Sequence, residues 1–374
     1  PRAPSEAATA LRADLKRAML RHPAEPYFPL VGAVLAAREG GDVWAPIPWL
    51  QRTLERGPVN GPAHLLLAQV LAARGARPQA LLELRLAVED DPLLAGGTAP
   101  LAVRWARSFE DLLVAVPEGR EGDPVLIEMG RVLSTSTAPR PGDDELRGRC
   151  DREAIARDPR AIPPRLREAE ARLDAMTRPG TSPLCGDHDH CREEILEHAD
   201  AIAAAEPDSV TALSLRARVL LVEGKIEEAV KLLEAECERV SDRVSCLQQR
   251  VSAAARLKAA APMTSASKDL LGAACVTNTA CADAATWLAS VRLNRSEPSA
   301  ALALLTRAAR EDPSDESRWM RVADAATQAG AHVQAVEALE KVAKHRGGAD
   351  PELRQRIDQE HRAALGGLLV PMPR

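Results

Sequence analysis

The sequence predicts an all-α chain, assembled as a solenoid of helical hairpins, and three observations carry that reading. The stretch Ala282 to Ala349 divides into two 34-residue frames with one apolar pattern: Ala289 and Ala323 at position 8, Ala301 and Ala335 at position 20, Leu305 and Leu339 at position 24. The same frame recurs upstream, at Gly61 to Leu94 and at Val210 to Arg243. Aromatic residues make up only 2% of the chain, and strand-like alternation of Val, Ile or Thr is absent. Two antiparallel helices approach closely only where a side chain is small, and the flanking leucines then fill the groove that remains. One hairpin of this size cannot bury its own apolar face, so repeated copies imply stacking.

The frame has further marks: Trp319 at position 4, Gly330 at the turn between its helices, and Pro313 closing the preceding copy at position 32. These residues resemble the tetratricopeptide repeat, which implies a right-handed α-solenoid of TPR-like helical hairpins, several of them degenerate. On that resemblance residues 1–374 form a single continuous superhelix, with N-terminal repeats in 1–94, degenerate hairpins in 95–209, C-terminal repeats in 210–349, a capping helix at 350–365 and a tail at 366–374.

In chain order, Ser5 to Arg21 reads as a helix with Leu11, Leu15 and Ala18 on one face, closed by Pro23. Its spacings match a second helix of the frame, and the chain begins at Pro1 without Met, so it is read as a processed protein or a fragment whose first-helix partner lies upstream. Tyr27 to Arg38 and a helix opening at Pro48, with Trp49, Leu50 and Leu54 facing in, form a degenerate hairpin around a Gly-Gly insertion. Gly61 to Leu94 is a full copy, with only His64 off pattern at position 4. Helices are then expected at 98–107, 109–116, 123–133, 143–157, 163–177 and 191–205, with stops at Pro117, Pro159 and Pro207. Two long loops, 134–142 and 178–190, interrupt them. Val210 to Arg243 departs from the frame at Glu236 and Ser241, and Val244 to Cys281 reads as a 38-residue copy with its turn near Pro262. Asp350 as N-cap and Pro351 at the first helical position open the polar end helix.

Seven cysteines are present, and six form close pairs: Cys185 with Cys191, Cys237 with Cys246, and Cys275 with Cys281. Three short disulfides, with Cys150 left as a buried thiol, would place the chain in an oxidising compartment, periplasmic or otherwise extracytoplasmic. Two readings compete. Cys185, His188, His190 and Cys191 could form a zinc knuckle, although the spacing is tight for a two-pair tetrahedral site, and all seven cysteines could be reduced core residues.

The formal charge of −5 and pI near 6.0 disfavour a nucleic-acid surface, which needs a concentrated basic face. The longest apolar run, near Pro29 to Ala37, is far below the roughly 18 residues that span a bilayer. Walker, dinucleotide, nucleophile-elbow and zinc-helix motifs are absent, so the fragment is read as non-catalytic, with no catalytic, cofactor or metal residues. His22, His64, His332, His345 and His361 read as surface or packing residues, and Trp287 and Trp319 as core fillers. The resemblance implies a protein or peptide bound in a groove lined by first-helix positions: Leu65, Gln69 and Ala73; Ser214, Arg218 and Val222; Thr286, Ser290 and Asn294; Met320, Asp324 and Gln328, with Arg321 beside them. The run His22 to Tyr27 and the Pro-Trp-Leu segment that follows are also similar to repeats appended to O-antigen ligase-like membrane proteins. That alternative implies the extracytoplasmic repeat domain of a membrane-tethered glycan-handling enzyme.

Overall fold

A computed structural model describes residues 6–39, 45–178 and 184–368. The Gly-Gly insertion, the centre of the 178–190 loop and the tail beyond residue 368 lie outside the described residues. Every regular element among them is helical. The chain divides into two compact units, residues 1–171 and 172–374.

The first unit holds α1 (Glu6–Arg21), α2 (Tyr27–Arg38), α3 (Ile47–Arg56), α4 (Gly61–Ala73), α5 (Arg77–Asp90), α6 (Ala95–Trp105), α7 (Phe109–Val114), α8 (Asp123–Ser134), α9 (Asp143–Arg157) and the start of α10 (Ile162–Thr177). Helices α1 to α6 pack each on the next. Within α2 and α3 the Trp49 ring lies so close to Gly32 that a Cβ there would meet its Cε3 at 2.3 Å. The simple alternation expected beyond residue 95 is corrected here: α6 pairs with α8, and α7 lies against α5 and α9. With six residues, α7 is under two turns long and cannot serve as half of a hairpin. Helix α6 also starts at Ala95 rather than 98, because Asp91 caps a short 3₁₀ turn, Pro92–Leu94, that leads directly into it.

The second unit continues with α11 (His188–Ala205), α12 (Val210–Val222), α13 (Ile226–Glu236), α14 (Arg243–Ala254), α15 (Ala260–Ala274), α16 (Asn278–Asn294), α17 (Pro298–Glu311), α18 (Glu316–Gln328), α19 (His332–His345) and α20 (Pro351–Leu368). From α11 onward each helix packs on its successor. Two boundaries differ from expectation. Pro262 lies in the first turn of α15, where its missing N–H has no helical partner to lose, and the turn falls at residues 255–259. Helix α11 starts at His188 because the Asp187 side chain accepts the His190 N–H at 2.8 Å.

The alanines and leucines of the frame are buried as the pattern requires. Ala68, Ala80, Ala229, Ala289, Ala301, Ala323 and Ala335 are 0% exposed, Ala217 is 2%, and Leu84, Leu233, Leu305 and Leu339 are 3% or less. All four hairpins turn in the same way at frame position 15, which is left-handed in each: Gly75 (φ 80°), Gly224 (φ 75°), Ser296 (φ 60°) and Gly330 (φ 70°). In each the next N–H reaches back five residues to a helical carbonyl: Ala76 to Leu71 at 3.0 Å, Lys225 to Leu220 at 2.8 Å, Glu297 to Arg292 at 3.0 Å and Ala331 to Ala326 at 2.8 Å. This Schellman turn satisfies carbonyls that would otherwise be orphaned at the helix end, and glycine adopts it without the Cβ clash that Ser296 must tolerate. Where the proline of position 32 is replaced by Ser241, its N–H and hydroxyl both donate to the Asp208 carbonyl, at 3.0 and 3.2 Å.

Candidate functional site

The predicted groove residues lie on the first helices of the four hairpins: α4 in the first unit, and α12, α16 and α18 in the second. Gln69, Ala73, Ser290, Asn294, Arg321, Asp324 and Gln328 are exposed; Leu65, Ser214, Arg218, Val222, Thr286 and Met320 are half-buried. Several are engaged within the second unit. Thr286 accepts from Arg318 Nη1 at 3.1 Å, while Arg318 Nη2 donates to Asp283 at 2.9 Å and Nε lies 3.4 Å from Asp312 and 3.2 Å from Asp315. One arginine therefore ties α16 to α18. On the next step Asp324 pairs with Arg356 of α20, and Arg356 Nη1 lies 3.5 Å from the Met320 sulfur.

Helix α20 is thus more than a polar cap. Its Glu360 accepts from Thr327 at 2.7 Å and lies 2.7 Å from His332 Nδ1. Burial raises the Glu360 carboxyl, but the Thr327 and His332 contacts outweigh it and hold the group low. As the capping pattern indicates, Asp350 accepts the Leu353 N–H at 2.8 Å and opens this helix.

His64 belongs to a similar cluster in the first unit. Its Nδ1 lies 2.6 Å from Glu83, and its Nε2 is 3.5 Å from Asp90. The hydrogen bond to Glu83 raises the imidazole above its usual 6.5, against the effect of burial. Such partners on the second helix of a hairpin have no signature in a first-helix residue, so the sequence shows only that His64 breaks the pattern.

The sequence also left unread a cavity of 790 Å³ on the face formed by the second helices, α17 and α19. Leu302, Ala303, Ala329 and Ala331 give it apolar lining, and Ser299, Thr306, Arg307, Arg310, Glu311 and Gln334 contribute polar groups. A smaller recess of 110 Å³ adjoins it, where Lys341 Nζ sits 3.8 Å from the centre of the Trp319 ring. Trp319 is buried, in keeping with a core filler, and Trp287 packs half-buried against another core cluster.

The six paired cysteines lie at disulfide distance, with Cα–Cα separations of 5.2 Å for 185 and 191, 5.5 Å for 237 and 246, and 4.1 Å for 275 and 281. Each later cysteine is the fourth residue of a helix whose N-cap side chain, Asp187, Asp242 or Thr277, accepts the N–H three residues on. His188 Nε2 is directed to the Met176 carbonyl at 2.8 Å, away from a ligand role beside the sulfurs. Cys150 is buried without a cysteine partner, and burial pushes its thiol up to about 12.

The tetratricopeptide repeat family model matches residues 277–351. That stretch is a tetratricopeptide repeat pair. It spans α16 to α19, and the turns and alanine contacts of the two other in-register hairpins have the geometry of these repeats. Solved structures similar to the chain include a tetratricopeptide repeat protein from Parabacteroides merdae, 11% identical, covering 79% of this chain and 97% of that one with a TM-score of 0.38. A thermophilic tetratricopeptide repeat protein from Thermus thermophilus is 17% identical, covering 71% of this chain and 98% of that one with a TM-score of 0.30. No curated protein sequence matches. Among the described residues no helix is long and apolar enough to cross a membrane.

Proposed function

We propose that this chain is a non-catalytic scaffold that binds a protein or peptide along the first-helix face of its tetratricopeptide repeats, outside the cytoplasm. The observation that supports it most is a division of labour within the hairpins. Positions 8, 20 and 24 are consumed by stacking, while Gln69, Ser290, Asn294 and Gln328 on the first helices stay exposed and uncharged. Exposed amide and hydroxyl groups on rigid helices offer hydrogen bonds to an extended backbone at little conformational expense. The three cysteine pairs at bonding distance support disulfides, and hence an oxidising compartment.

Random peptides displayed on phage and selected on the full chain test the binding reading. The double variant Asn294→Ala, Gln328→Ala is expected to bind selected peptides at least about tenfold more weakly, with an unchanged melting curve, through loss of side-chain hydrogen bonds. Undiminished binding, or selection of no peptide, overturns the assignment. The intact mass of the non-reduced protein tests the compartment reading, since three bonds remove six hydrogens.

A further inference from the structure

The three cysteine pairs share one local design and differ in what surrounds the sulfurs. Cys185, Cys191, Cys237 and Cys246 are all 6% exposed or less, so the first two pairs are closed to solvent at both ends. In the third, Cys281 is 3% exposed but Cys275, at the end of α15, is only half-buried. Arg307 of α17 extends from the wall of the 790 Å³ cavity to this pair, with Nη2 3.5 Å from Cys275 Sγ and 3.4 Å from Cys281 Sγ. Its carboxylate contact is long: Nε to Glu311 is 3.9 Å. One helical turn further, Arg310 lines the same cavity and has no carboxylate partner among the described residues.

We infer that Cys275–Cys281 is a thiol–disulfide exchange site, open to small thiols that carry carboxylates. The inference rests on the disulfide reading above. A thiolate formed by loss of its proton to water attacks Cys275 Sγ, the accessible sulfur. The bond between the two cysteine sulfurs breaks as the bond from the incoming sulfur to Cys275 forms, and the electron pair leaves on Cys281 Sγ. No net oxidation occurs in that step. The departing thiolate is stabilised by the Arg307 guanidinium and by the N-terminus of α16, in whose first turn Cys281 lies. A better-stabilised leaving thiolate departs faster. Among the described residues of this cavity wall, Arg307 and Arg310 outnumber the one carboxylate, Glu311, and so offer net positive charge to the carboxylates of the incoming thiol.

The test uses the full oxidised chain, first weighed without reduction. A mass with free thiols in place of the three bonds would sink the disulfide reading itself, before any exchange is measured. On the oxidised protein, glutathione is added at limiting concentration, the reaction is quenched with acid, free thiols are alkylated and peptides are mapped. The mixed disulfide is expected on Cys275, with exchange at this pair at least about tenfold faster than at the other two. Arg307→Gln is expected to slow it roughly three- to tenfold and leave the other pairs unchanged, and Arg307→Lys to restore most of the rate. Cysteamine, a cationic thiol, is expected to react more slowly than glutathione at equal thiolate concentration. Equal exchange at all three pairs, attachment to Cys281, or an Arg307→Gln rate equal to that of the parent overturns the inference.

Discussion

The repeat pair α16 to α19 and the segment α8 to α10 of the first unit both pack apolar side chains, but they differ in how deeply charge is built into the contact. In the former the helix contacts are alanines, all fully buried at positions 8 and 20, and of the carboxylates around Arg318, Asp283 is exposed and Asp312 and Asp315 are half-buried. In the latter Leu126, Met129, Cys150 and Ala154 share an apolar core, and the carboxylates are buried as well. Asp151, 0% exposed, accepts from Arg147 Nη1 at 3.0 Å and from Arg167 Nε at 2.9 Å, while Arg167 Nη2 donates to the Ile127 carbonyl at 3.1 Å. Glu168, 2% exposed, lies 3.5 Å from Arg147. Gly130 leaves room for this network, since a Cβ there would stand 2.5 Å from the Asp151 carboxylate. Burial pushes the Asp151 carboxyl up, opposed by the hydrogen bond and charge of Arg167. The difference teaches that one architecture repeats undirected apolar contacts easily, whereas a buried charge network set into it is directed and fails if one member is lost.

Removing that member is the strongest way to break the comparison. Asp151→Ala leaves two arginines without their shared carboxylate and is expected to destabilise by about 3 to 5 kcal/mol in urea unfolding. A loss under about 1 kcal/mol would mean that the charges are solvated and that the segment is held as the repeats are. In the repeats the corresponding attack is crowding. Ala335→Leu should destabilise by about 1 to 3 kcal/mol through overpacking, and a neutral change would show that position 20 has space to spare.

The turns sharpen the comparison at smaller scale. Ser296 alone among the four position-15 residues is not glycine, so Ser296→Gly is expected to raise stability by about 0.5 to 1 kcal/mol, whereas Gly330→Ser should lower it by about 1 to 2 kcal/mol. Opposite signs in thermal melts check the shared turn. The smallest effect concerns His64, whose raised imidazole binds its proton more tightly folded than unfolded. Its contribution is fully present below the unfolded value of 6.5 and is lost as pH rises through the folded value. The stability difference between the parent and His64→Gln should therefore shrink as the medium is made alkaline. A difference independent of pH would mean that the imidazole is neutral throughout.

Much of this was legible beforehand where a residue's role depends on its own helix. Alanine spacing located four hairpins, close cysteine pairs anticipated the sulfur distances, and Asp350 with Pro351 marked the start of α20. The candidate groove was legible only as first-helix positions, of which seven are exposed and six half-buried. Its engaged members depend on Arg318 and Arg356, which sit about 32 to 36 residues away from their partners. Nothing in a helical period marks which exposed arginine will meet them.

By itself the sequence determined which helices form and where small side chains let them touch, because both follow from periodicity within a few turns. Only the tertiary structure decided that α6 skips α7 to pair with α8, that Asp151 collects two arginines, and that Arg307 lies over Cys275 and Cys281. Those outcomes depend on directed polar contacts between distant residues. Their geometry exists only after the apolar faces have met.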